Sequence, residues 1–581
     1  MEQRRLILAI ALSIAILIGF QLVYKRVAPP PAMPSTPTAE TAPPSAPSVA
    51  AGAGAGAAEA PATSGPRLAI AAPRLAGSLG LRGARLDDLV LRDYHETVAP
   101  SSPLVPLLAR PGTSTAYYVQ FGWSAPAGTM LPLPDSTTLW TASAPTLTPA
   151  TPVTLTWDNG AGLHFALTLA VDDNYMFTVR QSVTNTTGTP VLLFPWARIR
   201  RDYTPPTAGY YILHEGLLGV IGGRLQELTY AKAKSAGERT GGLAYEATAP
   251  GGWAGITDKY WLTALIPPQT SDERVAFRDV TLGSETGYQV DFTPATPQTI
   301  APGAEATTTL HVFAGAKEVH LLDRYERTLG IPSFDKAVDF GWFYFLTKPF
   351  FYAIDWLYQR LGNFGLAIMA FTVFVKALFF PLANKSYKSM GKMRLLGPKM
   401  QAMRERYKDD PARQQQEMMA LYKAEGVNPA SGCLPMLIQV PVFFSLYKVI
   451  FVTIEMRQAP FFGWIRDLSA PDPSNVFNLF GLIPFDPTQI SPFLHLGVWP
   501  LLMGVSMFLQ QKLNPPPPDP VQARMFQFMP VIFTFMLARF PAGLVIYWTW
   551  NNLLSIGQQW LIMRSAHLGP ERGKKTKPAQ T

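Results

Sequence analysis

The chain has 581 residues, of which 48% are hydrophobic and only 15% are charged, against about 25% charged residues in a typical soluble domain. This composition argues against an ordinary soluble enzyme and against a disordered protein, and it points to several membrane spans. Cys433 is the only cysteine, which excludes intramolecular disulfides, cysteine-based zinc sites and iron–sulfur clusters. The formal net charge of +9 is informative only through where the basic residues lie.

The N-terminus carries an apolar run of 18 residues from Leu6 to Val23. That length is just enough to cross a bilayer and is long for a signal peptide, and no Ala-x-Ala cleavage site follows. We therefore predict a transmembrane anchor over residues 1–27, with a cleaved signal peptide as the alternative. Residues 28–66 contain ten prolines and only two charges, so we expect an extended tether.

Short alternating segments separated by turn clusters occupy most of residues 67–330. Examples are Val153–Trp157 and His164–Leu169, with the turn sequence Asp158-Asn159-Gly160 between them. Alternation with a period of two and turns every 8–12 residues is typical of antiparallel β structure. We predict one large antiparallel β-sandwich domain here, with a helix at its end over Lys317–Leu329.

The last third of the chain is strongly apolar. Aromatic residues around Trp342 predict an amphipathic interfacial helix over residues 331–350. Within the region 351–564, the predicted spans are Gly365–Leu382, Cys433–Thr453, Leu494–Leu509, Met525–Phe540 and Pro541–Met563, and the sequence Phe540-Pro541-Ala542-Gly543 separates the last two. With the N-terminal anchor this makes six spans.

The distribution of basic residues orients these spans. Residues 384–425 hold ten Lys/Arg against five Asp/Glu, and the tail 565–581 is also basic. The only basic residues in the segment 453–491 are Arg457 and Arg466. By the positive-inside rule, the basic loop, the tail and the N-terminus are expected to be cytoplasmic and the β domain to lie across the membrane.

Lys376 is the most informative single residue, because it lies within the apolar run 371–380. A charge exposed to lipid at that depth costs several kcal/mol. Lys376 could extend its side chain to the cytoplasmic phosphates, or it could be a cation in a water-filled cavity open to the cytoplasm. Depth alone does not decide between these.

Several other residues could line such a cavity. Thr372 lies four residues before Lys376 on the same helical face, and Gln439 lies between Pro435 and Pro441 in a span that the prolines interrupt. The prolines could equally be simple kinks. An apolar wall could come from residues that could also be ordinary packing or lipid-facing side chains, namely Phe443, Phe444, Phe533, Phe535 and Met536.

The loop 384–425 is predicted to be an antiparallel helical hairpin. Asp410-Pro411 is an N-cap followed by Pro at the first helical position, and Pro398 marks a break or a helix start. Methionines on its apolar faces would either form an adaptable surface for varied partners or only hold the hairpin together. These methionines are Met393, Met400, Met403 and Met418.

No motif for nucleotide binding or hydrolysis is present, and the histidines of the β domain (His95, His164, His214 and His311) lack metal-ligand spacing. We therefore expect neither an enzyme, a metal site nor a cofactor.

A long ordered series of motifs resembles the YidC family of bacterial membrane protein insertases over residues 334–564. The motifs are Lys392-Met393-Arg394, Gln416–Lys423, Val427-Asn428-Pro429, Gly432–Pro435, Leu437–Gln439, Met456–Pro460, Trp464–Ser469, Met529–Phe533 and Phe540–Leu544. In the β domain the resemblance to this family is carried by Gly252–Pro267 and Ala314–Glu326. The predicted N-terminal anchor fits the Gram-negative form of the family.

The resemblance implies a multi-domain inner-membrane protein with a periplasmic β-super-sandwich and an all-α core of five helices. That core would enclose a hydrophilic groove closed toward the periplasm. A basic residue on the second span, here Lys376, would assist insertion, and Tyr547-Trp548 replaces the Tyr-Tyr of many members. The expected groove residues are Lys376, Thr372, Gln439, Pro441, Phe443, Phe533, Tyr547 and Trp548.

The implied partners are nascent membrane proteins, the Sec translocon, membrane lipids and, through the hairpin and the short tail, the ribosome. No specific nucleic-acid sequence is implied. A wet cleft would lower the desolvation cost of moving a polar flank across, and the client segment would then leave sideways into lipid. Two alternatives are a secondary transporter that uses Lys376 for a small anion and a tethered periplasmic carbohydrate enzyme.

Overall fold

The computed structural model describes residues 65–565, apart from 208–212, 283–284, 409, 427–433, 492–493 and 515–519. The predicted anchor, most of the tether, the basic tail after Ser565 and the motif residues 427–433 therefore lie outside the described residues.

The β domain is built from two large sheets in which all pairings but one are antiparallel. The first has eleven strands in the order β14-β17-β18-β11-β5-β3-β2-β1-β7, with β19 beside β11 and β4 beside β3, and β1 and β7 are parallel. Its strands are β1 (Arg67–Ala71), β2 (Leu75–Gly80), β3 (Arg85–His95), β4 (Leu104–Leu108), β5 (Tyr117–Ser124), β7 (Thr146–Leu147), β11 (Val191–Arg201), β14 (Leu243–Pro250), β17 (Asp272–Leu282), β18 (Glu285–Pro294) and β19 (Gln298–Ile300).

The second sheet has nine strands in the order β13-β12-β15-β16-β20-β10-β9-β8-β6. They are β6 (Thr141–Ala142), β8 (Val153–Asp158), β9 (Leu163–Val171), β10 (Met176–Asn185), β12 (Gly216–Ile221), β13 (Arg224–Thr229), β15 (Trp253–Thr257), β16 (Trp261–Ile266) and β20 (Glu305–Ala316).

The two sheets share one hydrophobic core, as the alternation predicts. In β9 every second side chain is buried, from Leu163 to Val171. The sheets meet where Trp123 of β5 packs edge-on against Phe165 of β9, with 5.0 Å between ring centroids. The amide of Gln181 also donates across the interface to the carbonyl of Gly122 at 3.0 Å.

Two short helices accompany the sheets. Helix α2 (Val319–Leu329) coincides with the helix predicted at the end of the domain. Helix α1 (Tyr230–Thr240), capped by the Thr229 hydroxyl, was not expected, because its sequence lacks a strong apolar stripe.

The C-terminal region is helical. Its helices are α3 (Tyr344–Leu361), α4 (Phe364–Leu378), α5 (Phe380–Leu395), α6 (Gly397–Arg406), α7 (Pro411–Ala424), α8 (Leu434–Val452), α9 (Val498–Leu513), α10 (Pro520–Leu537) and α11 (Ala542–Ser565). Helix α11 packs against α4, α5, α8 and α9 and is therefore the central element of this region. Short 3₁₀ turns occur at Phe334–Ala337, Ile454–Met456, Val476–Gly481 and Pro487–Gln489.

No single helix among the described residues has the length and apolar character to cross a bilayer by itself. Helices α4 and α5, which are bent by 68° at their junction, meet that test only as a pair.

The predicted interfacial helix is displaced along the chain. Residues 334–337 form a 3₁₀ turn, and the helix begins at Tyr344 and continues to Leu361 rather than covering 331–350. The physical reason is local: Gly341 has φ of 73°, and Phe340 is buried in the core, so the chain before Tyr344 is held by packing rather than by a helical ladder. Trp342 is almost fully exposed, at 97%, and Phe345 is 73% exposed.

Candidate functional site

Lys376, near the C-terminal end of α4, reaches across to the central helix α11. Its ammonium donates a hydrogen bond of 2.8 Å to the hydroxyl of Ser555. Ser555 is buried and in turn donates to the carbonyl of Asn551 at 2.7 Å. Within the described part of the chain Lys376 makes no ion pair, so its charge is held by a neutral partner.

A small recess surrounds the Lys376 side chain. It has a volume of about 50 Å³ and is formed by α4, α5, α8 and α11. Its polar members, Lys376, Tyr387, Gln439 and Gln558, come one from each of these four helices, which only the tertiary fold brings together. The lining residues are Val375, Lys376, Phe379, Leu382, Ala383, Tyr387, Gln439, Val442 and Gln558.

Gln439 links α8 to α11 on one side of this recess. Its side-chain amide donates to the hydroxyl of Tyr547 at 2.6 Å, and Tyr547 is almost completely buried. Pro441 lies inside α8 two residues further on and is half-buried. Because proline has no N–H, it removes one bond of the helical ladder at this point.

An aromatic cluster lies beside Gln439. The ring of Trp548 is 4.7 Å from that of Phe443 and 6.0 Å from that of Phe533, between centroids. Three helices, α8, α10 and α11, therefore meet at Trp548. The predicted wall is only partly formed, because Phe444, Phe535 and Met536 are 40–49% exposed.

Thr372 lies one turn before Lys376, as the spacing predicts, but it does not line the recess. It is buried, and its hydroxyl donates to the carbonyl of Ile368 in its own helix at 2.7 Å. The pairing satisfies the hydroxyl within the helix, which is the usual behaviour of threonine at such positions.

A polar stripe on α11 was missed by the sequence reasoning. Asn551, Ser555 and Gln559 follow a spacing of four residues, so they share one face, and all are buried. Asn552 donates to the Ser506 hydroxyl of α9 at 3.1 Å, and Gln559 donates to the carbonyl of Leu513 at 3.1 Å. The sequence does carry a sign of this stripe, because polar residues recur inside the predicted span Pro541–Met563.

The region of the predicted hairpin, 384–425, is divided among the C-terminal part of α5, which carries Met393, and the helices α6 and α7. Asp410 caps α7 by accepting from the Arg413 amide at 3.1 Å, and Pro398 opens α6, so both predicted starts are confirmed. The Tyr422 hydroxyl donates to the sulfur of Met400 at 3.7 Å. The four methionines of the predicted client surface are half-buried, so they both pack and retain exposed area: Met393, Met400, Met403 and Met418.

A second group of charges, which are half-buried, connects the β domain to the helices, and it was not identified from the sequence. Lys448, inside the predicted span Cys433–Thr453, pairs with Asp339 at 2.9 Å. Just beyond the same span, the carboxylate of Glu455 accepts from the backbone amide of Val319, the first residue of α2, at 3.0 Å. Burial raises the pKa of Glu455 to about 8.

The carboxylates of Asp323, Glu326 and Asp335 lie close enough together to suggest a cation site. The ammonium of Lys348, however, binds Asp323 at 3.0 Å and also pairs with Asp335. A lysine already supplies the positive charge in this cluster, so its residues do not fit a metal ion.

Comparison with known proteins covers nearly the whole chain. The family model described as the YidC periplasmic domain matches residues 67–353, and the model described as the 60Kd inner membrane protein matches residues 356–569. The chain is 63% identical over 580 residues to the membrane protein insertase YidC of Granulibacter bethesdensis, covering 99% of this chain and 100% of that protein. It is 55% identical over 591 residues to the insertase of the same name from Acidiphilium cryptum, covering 98% of each. A crystal structure described as an active YidC insertase with its first transmembrane domain resolved aligns with 19% identity and a TM-score of 0.35, over 86% of this chain and 93% of that one.

Proposed function

This chain belongs to the YidC family of membrane protein insertases, and we propose that it inserts client proteins through a groove built around Lys376, Gln439 and Trp548. The clients are nascent membrane proteins of the inner membrane. The family is one of insertases and not of catalytic enzymes, so the groove is proposed to bind and transfer segments without changing covalent bonds.

The observation that carries this proposal is the neutral partner of Lys376. An ammonium paired with a carboxylate would present no net charge to a client, whereas one that donates to the Ser555 hydroxyl keeps its positive charge. In a partly buried setting that charge attracts an acidic segment more strongly than it would in water. The free-energy cost of moving the polar flank of a client out of the cytoplasm would therefore be lower.

The aromatic cluster supports binding of the apolar part of a client. Trp548 lies between Phe443 and Phe533, directly beside the Gln439 side of the recess. Such a surface favours an apolar helix over water by burial of area. A client would thus meet a polar site and an apolar wall on neighbouring turns of α8 and α11, and would then leave sideways into lipid.

The proposed topology has six spans. The anchor at residues 1–27 supplies the first, and the other five contain α4, α8, α9, α10 and α11. The β domain, residues 67–330, is proposed to lie in the periplasm and both termini in the cytoplasm. The ten basic residues of 384–425 support this orientation, as does their scarcity in 453–491.

We propose that α6 and α7, together with the C-terminal part of α5, form a hairpin region that receives clients before they enter the groove. Its methionines are half-exposed and flexible, which suits contact with varied apolar segments. The Sec translocon and, through a weaker interaction, the ribosome are proposed partners of this chain.

Purified full-length protein in liposomes tests the function directly. We expect insertion of a small phage-coat-like protein, measured by protease protection of its translocated tail, without added nucleotide. Uptake of a small anion without insertion would instead favour a transporter, and turnover of a glycan would favour a periplasmic enzyme. Protein-free liposomes provide the background for all three measurements.

A further inference from the structure

The segment 476–490, between α8 and α9, exposes an unusual amount of apolar surface. Its large side chains are 44–82% exposed, and Leu482 is the most exposed of them. The members are Phe477, Leu479, Phe480, Leu482, Ile483, Phe485 and Ile490. Asp486 is the only charged residue in the segment. A concentration of exposed apolar side chains of this kind marks a surface that is covered in the working state of the protein.

Several backbone amides of this segment are paired locally. The amides of Phe480 and Ile483 donate to the carbonyls of Asn475 at 2.9 Å and Asn478 at 3.1 Å. The side-chain oxygens of the same two asparagines accept from the amides of Phe477 and Gly481, each at 3.0 Å. Backbone groups that are already paired cost less free energy to move out of water than unpaired groups do, so this pairing is compatible with a lipid environment.

The conformation that directs these side chains outward is strained. Leu479 and Phe480 are consecutive non-glycine residues in the left-handed region, with φ of 51° and 60°. That region is unfavourable for residues with a Cβ, and such strain persists only where surrounding interactions repay it. Burial of the exposed apolar side chains in a lipid phase would do so.

The base of the segment is fixed at the start of α9. The amide of Val476 donates to the carbonyl of Leu496 at 2.9 Å, and the side chain of Asn475 donates to the carbonyl of Leu494 at 2.9 Å. Helix α9 then carries exposed apolar residues along its length, including Val505 and Leu509. The apolar surface of the segment therefore lies next to that of a helix proposed to face lipid.

We propose that residues 476–490 insert into the periplasmic leaflet of the inner membrane, with Leu482 among the lipid chains and the carboxylate of Asp486 at the headgroup level. This inference rests on the proposed topology, in which α8 and α9 cross the bilayer. Phospholipid is the occupant because the segment offers exposed apolar area and paired backbone amides, and only Asp486 to attract a charged protein. The segment would hold the periplasmic end of α9 against the membrane surface.

A fluorescent probe tests the depth of the segment. In full-length protein with Cys433→Ser, a single cysteine replaces Leu482 and carries an environment-sensitive dye. The matched control is Met130→Cys in the β domain, because Met130 is also an exposed apolar residue, at 97%. Both proteins are reconstituted in liposomes of phosphatidylethanolamine and phosphatidylglycerol, with iodide on both sides or with lipids that carry a quencher on the acyl chain.

We expect the dye at position 482 to show a blue-shifted emission, quenching by the acyl-chain quencher and protection from iodide, whereas the dye at position 130 shows the opposite. Equal iodide quenching at both positions would overturn the proposal. Protection at 482 from both quenchers would overturn it as well, and would indicate a protein contact such as a second copy of the chain. The insertion assay on the same liposomes reports separately on the proposed function.

Discussion

The ammonium of Lys376 and the hydroxyl of Ser555, two residues 179 positions apart in the chain, are joined by a hydrogen bond of 2.8 Å between α4 and α11. The bond fixes the position of the charge without neutralising it. Since Ser555 also donates to the carbonyl of Asn551, its hydroxyl oxygen is oriented to accept from the lysine. The positive end of the proposed groove is thus held by a single residue of the central helix.

Lys376 is predicted to act through its charge. Lys376→Arg should retain insertion, whereas Lys376→Ala or Lys376→Glu should reduce insertion of clients with acidic translocated tails by about tenfold or more, equivalent to about 1.4 kcal/mol. Clients with neutral tails should be less affected. Protease protection of the tail in liposomes measures each rate.

Lys512→Glu is the matched control for this series, because Lys512 is an exposed lysine near the end of α9 and outside the recess. It should leave insertion unchanged. Normal insertion of every acidic-tailed client by Lys376→Glu would contradict the charged-groove mechanism.

Photocrosslinking should map the groove. Probes at Gln439, Phe443, Phe533 and Trp548 are expected to capture the transmembrane segment of a stalled nascent chain, because three helices bring these side chains together. Probes at Phe444 and Phe535 are the controls, since each lies close in sequence to a groove residue but on the exposed side. Equal capture at all six positions would mean that clients meet the protein from the lipid without a defined groove.

Probes on the hairpin should report an earlier stage. At Met393, Met400 and Met403 we expect capture of shorter nascent chains than in the groove, because these side chains keep exposed area. Met419, which is 56% exposed on α7, tests whether the whole methionine surface takes part. Absence of capture at all four positions would leave the methionines with a packing role only.

The β domain is predicted to be largely dispensable. Deletion of residues 68–310 removes the sheets but keeps α2, whose first amide donates to Glu455, and keeps Asp339 as the partner of Lys448. Insertion should remain measurable. Extending the deletion through residue 329 should reduce both insertion and thermal stability further, because the buried carboxylate of Glu455 then loses its donor. Complete loss of insertion by a well-expressed, correctly oriented deletion of 68–310 would contradict the prediction.

Glu455 predicts a pH dependence of stability. Its pKa in the folded protein is about 8, above the ordinary value of 4.5, so the folded state binds this proton more tightly than the unfolded state. The contribution to stability is therefore fully present below about pH 4.5 and is lost as the pH rises to about 8. Glu455→Gln keeps an oxygen acceptor for the Val319 amide and should flatten this dependence, stabilising the protein at pH 8.

Thermal unfolding of Glu455→Gln and of the unsubstituted protein between pH 5 and 8.5 measures this change in stability. We expect the two free energies of unfolding to differ by about a few kcal/mol at most. Glu238→Gln, at an exposed position on α1, is the control and should leave the profile as in the unsubstituted protein. Parallel profiles for Glu455→Gln and the unsubstituted protein would show that the Glu455 carboxyl does not titrate in this range.

Local sequence determines where most helices and strands begin and end. The cap and proline at Asp410-Pro411 start α7, and the break predicted at Phe540–Gly543 separates α10, ending at Leu537, from α11, beginning at Ala542. The alternation of β9 predicts its buried face. These features depend on short-range backbone preferences and on the periodicity of apolar residues, which are readable without knowledge of any partner.

The recess around Lys376 depends on contacts that no local pattern encodes. Gln439 and Tyr547 are 108 residues apart, and whether Phe443 or its neighbour Phe444 faces Trp548 is set by the rotation of α8 against α10 and α11. The sequence marks Lys376 as a costly charge in an apolar run, but its partner depends on which face of α11 is turned toward α4. Only packing decides that rotation, because adjacent positions differ by about 100° around a helix and each could face either a neighbouring helix or the lipid.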